Sequence, residues 1–176
     1  MRMAGRHREF LPIVLGVFAL VAGYGVVNGQ FIVTMASNHY TVYYPHFFPF
    51  SSARAQALCF GLAAGLPGLG WGILLYWAGH YGRGPTLGVR ATLLVAGAVL
   101  LVTAAMAWEM GRKVAATNIP PYPMFFYPDN DGLLNVTQTV QLTNYWVGGL
   151  GAAFSILMIW TWRILRTPPD EDPPVS

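Results

Sequence analysis

The apolar positions of this chain fall into four runs: Phe10 to about Val27, Ala55 to Gly79, Val89 to Trp108, and Tyr145 to Leu165. Each is close to the roughly 20 residues a helix needs to cross the ~30 Å hydrocarbon layer of a bilayer. Inside lipid every backbone donor and acceptor must be met within the segment, so the pattern predicts four transmembrane helices. The basic segment 1–9 before the first run resembles the head of a signal peptide. However, the run is long enough to span and Asn28-Gly29-Gln30 is a poor cleavage site, so a retained helix is expected. Pro67 predicts a kink in the second span, and the proline-free third span should be the straightest. Segment 80–88, with Gly82, Gly84 and Pro85, is short enough to predict an antiparallel hairpin between the second and third spans.

Two longer polar and aromatic segments, 30–52 and 114–144, separate the remaining spans. In the first, Pro45 and Pro49 exclude a regular helix across the aromatic cluster, and Ser51 or Ser52 is placed to cap the next helix. In the second, Asp129-Asn130-Asp131-Gly132 predicts a turn. Leu133 to Thr143 alternates apolar and polar residues, as a short strand or an interfacial helix would. The two segments share a motif: Tyr44-Pro45-His46-Phe47-Phe48 returns as Tyr122-Pro123-Met124-Phe125-Phe126, shortly after Asn38 and Asn118 respectively. This recurrence suggests a parallel repeat of helix, loop and helix about an axis along the membrane normal.

Composition agrees with a lipid solvent. Of the 176 residues 55% are hydrophobic and 10% charged, against about 25% charged in globular chains. A net charge of +3 without a dense basic patch excludes a nucleic-acid partner. Cys59 is the only cysteine, so neither an intrachain disulfide nor a CxxC site exists. Arg2, Arg6, Arg8, Arg83, Arg90, Arg163 and Arg166 fall at one face, and Arg54, Arg112 and Lys113 at the other. The positive-inside rule then places both termini, including the Pro-rich acidic tail 167–176, in the cytoplasm and both aromatic loops outside. The expected location is a bacterial inner membrane.

Few residues invite chemistry. His39 and His46 are weak candidates for a metal, with Asp129, Asp131 or Glu109 as oxygen donors. Two histidines seven apart across Pro45 give neither a shared helix face nor enough ligands, so no metal is expected. The Asp129–Gly132 turn lacks the later ligands of a calcium loop. Asn135-Val136-Thr137 fits the glycosylation sequon. No ionisable residue lies near the middle of a span, which argues against an ion relay. The spans likewise offer no histidine as a haem ligand. No nucleophile–base pair or phosphate loop is present, and no catalytic residue is assigned.

What remains is packing. Gly61, Gly65 and Gly68 on the second span and Gly148, Gly149 and Ala152 on the fourth make small-residue faces for close helix approach. Tyr44, Phe47, Phe48, Phe50, Tyr122, Phe125, Phe126 and Tyr127 gather more rings than a free surface leaves in water, and predict a partner interface. The leading expectation is an all-α accessory subunit without catalysis, held in a larger membrane complex by these faces. The alternative is an enzyme or binding protein for a lipophilic molecule, a lipid or quinone, that uses the outer loops with His39 and His46. A transporter component ranks third. No cofactor is expected beyond such a bound lipid or quinone.

Overall fold

The computed structural model describes residues 3–45, 51–82, 84–127 and 131–167. Among these the protein is all-helical: α1 (Met3–Met35), α2 (His39–Tyr43), α3 (Ala53–Ala63), α4 (Gly65–His80), α5 (Val89–Thr117), a 3-10 turn (Met124–Phe126) and α6 (Gly132–Leu165). Four segments are long and apolar enough to cross a membrane: Arg8–Met35, Ala53–His80, Val89–Thr117 and Gly132–Leu165. The protein is therefore a multi-pass membrane protein. α1 packs along both α3 and α4, and α5 along α6. The start of α1 meets the end of α4, where Glu9 Oε2 lies 3.1 Å from His80 Nε2. The end of α6 reaches the same place, so the beginning of α1 and the end of α6 share one end of the bundle, the base. α2 and the turn at 124–126 occupy the opposite, loop end.

Three helices overrun the expected spans. α1 and α6 have 33 and 34 residues, so each is ~50 Å long at 1.5 Å per residue, against a hydrocarbon layer of ~30 Å. Much of what reads as the second loop is therefore helix. Segment Leu133–Thr143 is neither a strand nor a surface helix but the first three turns of α6, and Leu134 to Thr143 are all buried. Its threonines fit there because their hydroxyls turn back on the helix. Thr137 donates to the Leu133 carbonyl at 3.1 Å, Thr139 to Asn135 at 2.8 Å and Thr143 to Thr139 at 2.8 Å. Asp131 caps the helix, its Oδ1 accepting from the Leu133 N–H at 2.9 Å. Exposed Trp108, Tyr145 and Trp146 mark an aromatic belt at the loop-end side of the apolar zone, and Trp77 and Trp160 one at the base. Beyond the first belt, Gly132–Asn144 stands out by roughly 20 Å, packed with α2, the end of α5 and the 118–127 connection into a protruding head.

The second span breaks at Ala64, three residues before the proline expected to kink it. Proline has no N–H to give the carbonyl four residues back, and its ring crowds that carbonyl, which belongs to Ala63. The chain therefore ends α3 at Ala63 and restarts at Gly65, leaving Pro67 in the first turn of α4, where no donor is needed. Ser52 caps α3, its Oγ accepting from Ala55 N–H at 3.4 Å.

The two copies of the aromatic motif differ locally where both are described. Asn118 closes α5 in the left-handed region with φ 53°, whereas Asn38 precedes α2 with φ −91°.

Candidate functional site

Two apolar cores hold the bundle, and the space between them is not filled. The core near the base joins Ile13, Val17, Leu75, Ala96 and Ile159. Its loop-end limit is a polar tie across the two helix pairs: the Trp71 indole donates to Ser155 Oγ at 3.1 Å. The core of the head joins Ile32, Val33, Tyr40, Ala57, Ala107 and Val140. Between Trp71 and Tyr40 lies a cavity of about 410 Å³ bordered by α1, α3, α4, α5 and α6. The sequence opens it in two ways. One helix ends and the next begins at Ala64, beside the cavity, and Gly149 on the facing wall carries no side chain to fill the gap. A Cβ on Gly149 would meet nothing within 4 Å.

The cavity is graded. Its deep end is formed by Val21, Trp71, Leu100 and Ala152, and its end toward the head by Tyr24, Asn28, Gln141, Asn144 and Tyr145. Tyr24 OH donates to Asn144 Oδ1 at 2.6 Å. Asn28 Nδ2 donates to Gln141 Oε1 at 3.5 Å, and Gln141 Nε2 donates to Tyr145 OH at 2.5 Å. Asn144 Nδ2 is shielded and has no partner. Among the described lining residues there is no Asp, Glu, Lys, Arg or His. Pro67 on one wall and Tyr145 and Gly149 on the other are exposed, so the cavity opens sideways toward lipid between α4 and α6. Another depression, of about 550 Å³, runs between α5 and α6, but its two hydroxyls are spent. Thr103 donates to the Val99 carbonyl and Ser155 to the Ala152 carbonyl. It is a lipid-facing groove without polar anchors.

His39 and His80 do not line the cavity. His39 lies fully buried under Tyr40, Tyr43 and Tyr44, with Nδ1 3.0 Å from Thr137 Oγ1. The Thr137 hydroxyl is committed to the carbonyls of Leu133 and Leu134, so the imidazole is the donor. Burial pushes the His39 pKa down to about 3, which keeps the ring neutral. His46, Phe47, Phe48, Phe50 and Asp129 lie outside the described residues. Among the described residues no three His, Cys, Asp or Glu side chains converge on a metal position. Asp131 is a helix cap, and Glu109 pairs with Arg112 at 3.0 Å.

The aromatic residues divide. Tyr44 packs on Phe60 at 4.8 Å between ring centres, and burial, then the Tyr145 hydroxyl, push its phenol above the ordinary range. Tyr122 and Tyr127 hydroxyls lie 2.9 Å from Thr143 and Thr139 of α6. Phe126 is half-buried, and Phe125 is 76% exposed. The glycines divide too. Gly61, Gly65 and Gly68 lie against α1, where an added Cβ would come within 2.6 Å of the Gly25 carbonyl carbon, 2.7 Å of Phe18 and 3.0 Å of Val21. Gly148 is in ordinary contact range of Thr103, and Ala152 packs on the basal core. The sequon is closed: Asn135 and Thr137 are 1% and 0% exposed within α6.

Sequence reasoning missed the cavity residues Gln141 and Asn144 because it placed them in a loop. The signal available was the polar pair Tyr24 and Asn28 at the end of the first apolar run, which called for polar partners at the same depth. No protein-family model, curated protein or solved structure matches the chain.

Proposed function

We propose that this is a membrane binding protein for a lipophilic molecule, held in the cavity between the two cores. One observation supports the reading above others: a cavity of about 410 Å³ with a polar end, an apolar end and a side opening toward lipid. Binding sites for small molecules are commonly pockets of about 300–1,000 Å³, mostly apolar, with a few placed polar groups. A gap needed only for packing would be filled or collapsed, because each void forfeits contacts. Native mass spectrometry of gently extracted protein tests it. The wild type should carry a bound mass of a few hundred daltons. Gly149→Leu, whose Cβ meets nothing within 4 Å and whose longer side chain occupies space on the cavity wall, should carry none at a melting temperature close to that of the wild type. Identical spectra from the two proteins would overturn the reading.

A second reading, an accessory subunit of a larger complex, is favoured by the exposed apolar surface of the head, where Ile119, Met124 and Phe125 are 70%, 62% and 76% exposed. In this reading Phe125 is an anchor whose truncation costs ~2 kcal/mol or more of association. The same spectra decide it: a co-purified protein released by Phe125→Ala supports the subunit role, and a chain that always flies alone removes it. Either role places the base in the cytoplasm by the seven-to-three distribution of Lys and Arg. An impermeant thiol reagent added to cells should label Ser37→Cys in the head and spare Thr86→Cys at the base, both in a Cys59→Ser background. The reverse pattern would invert the topology.

A further inference from the structure

The chemistry of the ligand follows from what the cavity offers and what it withholds, and this step rests on the binding reading above. We propose that the occupant is an uncharged lipophile whose carbonyl oxygen accepts a hydrogen bond from the Tyr24–Asn144 pair, with its tail lying along Val21, Leu100 and Ala152.

The first ground is charge. A phosphate or carboxylate in this cavity would leave water for a wall with no cation among its described residues, a transfer far costlier than that of a neutral polar group. A cationic head would meet no carboxylate. A neutral head is the one the wall can receive.

The second ground is the hydrogen-bond inventory. The pair is joined at 2.6 Å with Tyr24 as donor, which leaves both Asn144 Nδ2 hydrogens unused. Turning the amide over would make Asn144 the donor to Tyr24 and free the phenolic hydrogen instead. In both arrangements one strong donor of the pair is left without a protein acceptor. Asn144 Nδ2 is itself shielded even from a water-sized molecule, so a ligand oxygen meets the pair only once the Asn144 amide turns toward the cavity. That turn relieves a donor otherwise left unmet. The nearby Asn28–Gln141–Tyr145 chain is internally joined and adds no charge.

The third ground is direction. The donor pair stands at the level of the aromatic belt, and the apolar wall continues from it toward Trp71, so a head at the membrane surface and a tail toward mid-membrane match the depth profile of a lipid-soluble molecule. Two sources carry this chemistry, a prenyl-type quinone and an ester lipid such as a diacylglycerol, and both present a neutral carbonyl.

The test uses the full chain in detergent micelles with four probes of similar tail: decylubiquinone, dioctanoylglycerol, decylbenzene and dodecyl phosphate. Affinity is read by thermal shift and native mass spectrometry for the wild type, Gly149→Leu, Asn144→Leu and Tyr24→Phe. A carbonyl probe should bind the wild type at least tenfold tighter than decylbenzene or dodecyl phosphate, and at least tenfold tighter than it binds Asn144→Leu. Tyr24→Phe is the guard against a fold defect in Asn144→Leu, and should also weaken the carbonyl probe. Preference for decylubiquinone identifies the quinone source, and preference for dioctanoylglycerol the ester source. Equal binding of decylbenzene or dodecyl phosphate, or indifference to both polar variants while Gly149→Leu still blocks binding, would overturn this assignment and leave the cavity reading standing. No binding of any probe would overturn both.

Discussion

Leucine in place of Gly61 is expected to prevent stable assembly of the bundle. Gly61 faces α1 backbone to backbone: an added Cβ would lie 2.6 Å from the Gly25 carbonyl carbon and 2.6 Å from Val26 Cα. The clash is reciprocal, because a Cβ on Gly25 would lie 2.7 Å from the Gly61 carbonyl oxygen. Neither obstacle is a side chain that can rotate away, so two helix backbones would have to part. Ordinary overpacking in a core costs ~1–3 kcal/mol, and here α3, pushed off, would also forfeit its packing along α1. In lipid there is little solvent-driven force to restore that packing, since association there depends on close van der Waals fit. Gly70, on α4, is the internal control, as its added Cβ would meet nothing within 4 Å. In matched detergent preparations Gly61→Leu should lose most of its monodisperse yield or melt at least ~5 °C lower, while Gly70→Leu should match the wild type. Matching behaviour of the two variants would mean that the close approach of α1 and α3 carries no weight.

The four spans were legible because length and hydropathy set them with few alternatives. The Gly61 spacing was legible because side-chain absence at helical intervals has one common use in membranes. The head was not. Val136, Thr137, Thr139, Val140 and Thr143 are β-branched residues mixed with amides, and period alone does not separate a strand from a helix buried on all sides. What decides is tertiary: His39 covers Thr137 on one side of α6, and Tyr127 and Tyr122 cover Thr139 and Thr143, four residues apart on another. The break at Ala64 was half legible, since Pro67 announces a disturbance but its cost falls on the carbonyl four residues earlier. The cavity lay further out of reach, because it is the remainder left between Trp71 and Tyr40, and no local pattern encodes a remainder.

Arg163 was legible only as one of the basic residues that end the last span, and the structure gives it another task. It is 5% exposed. Its Nε donates to the Pro85 carbonyl at 2.8 Å, Nη1 to Ala78 at 2.8 Å and Tyr81 at 2.5 Å, and Nη2 to Gly84 at 3.2 Å. These carbonyls belong to the last turn of α4 and the connection to α5, which have no helical N–H to meet them. The helix dipole adds to the attraction, because a cation at a helix C-terminus faces its negative end. Arg163 thus ties α6 to the end of α4 through a guanidinium whose fork reaches several acceptors at once. In Arg163→Met the chain length is nearly kept and every donor is lost. With at least one buried acceptor left unmet at ~1–3 kcal/mol each, destabilisation of about 3 kcal/mol is expected. Lysine should recover part of this, because three ammonium hydrogens cannot span the set. Arg166 supplies the comparison: it is exposed and stands over the Trp162 ring at 5.2 Å, an interaction worth about 0.5–1 kcal/mol at such sites. Melting temperature and protease sensitivity between Tyr81 and Gly88 should therefore rank wild type, Arg166→Met, Arg163→Lys and Arg163→Met, with the largest step at the last. Equal melting of Arg163→Met and Arg166→Met would show that the four carbonyls find water instead, and that the buried guanidinium adds nothing to the bundle.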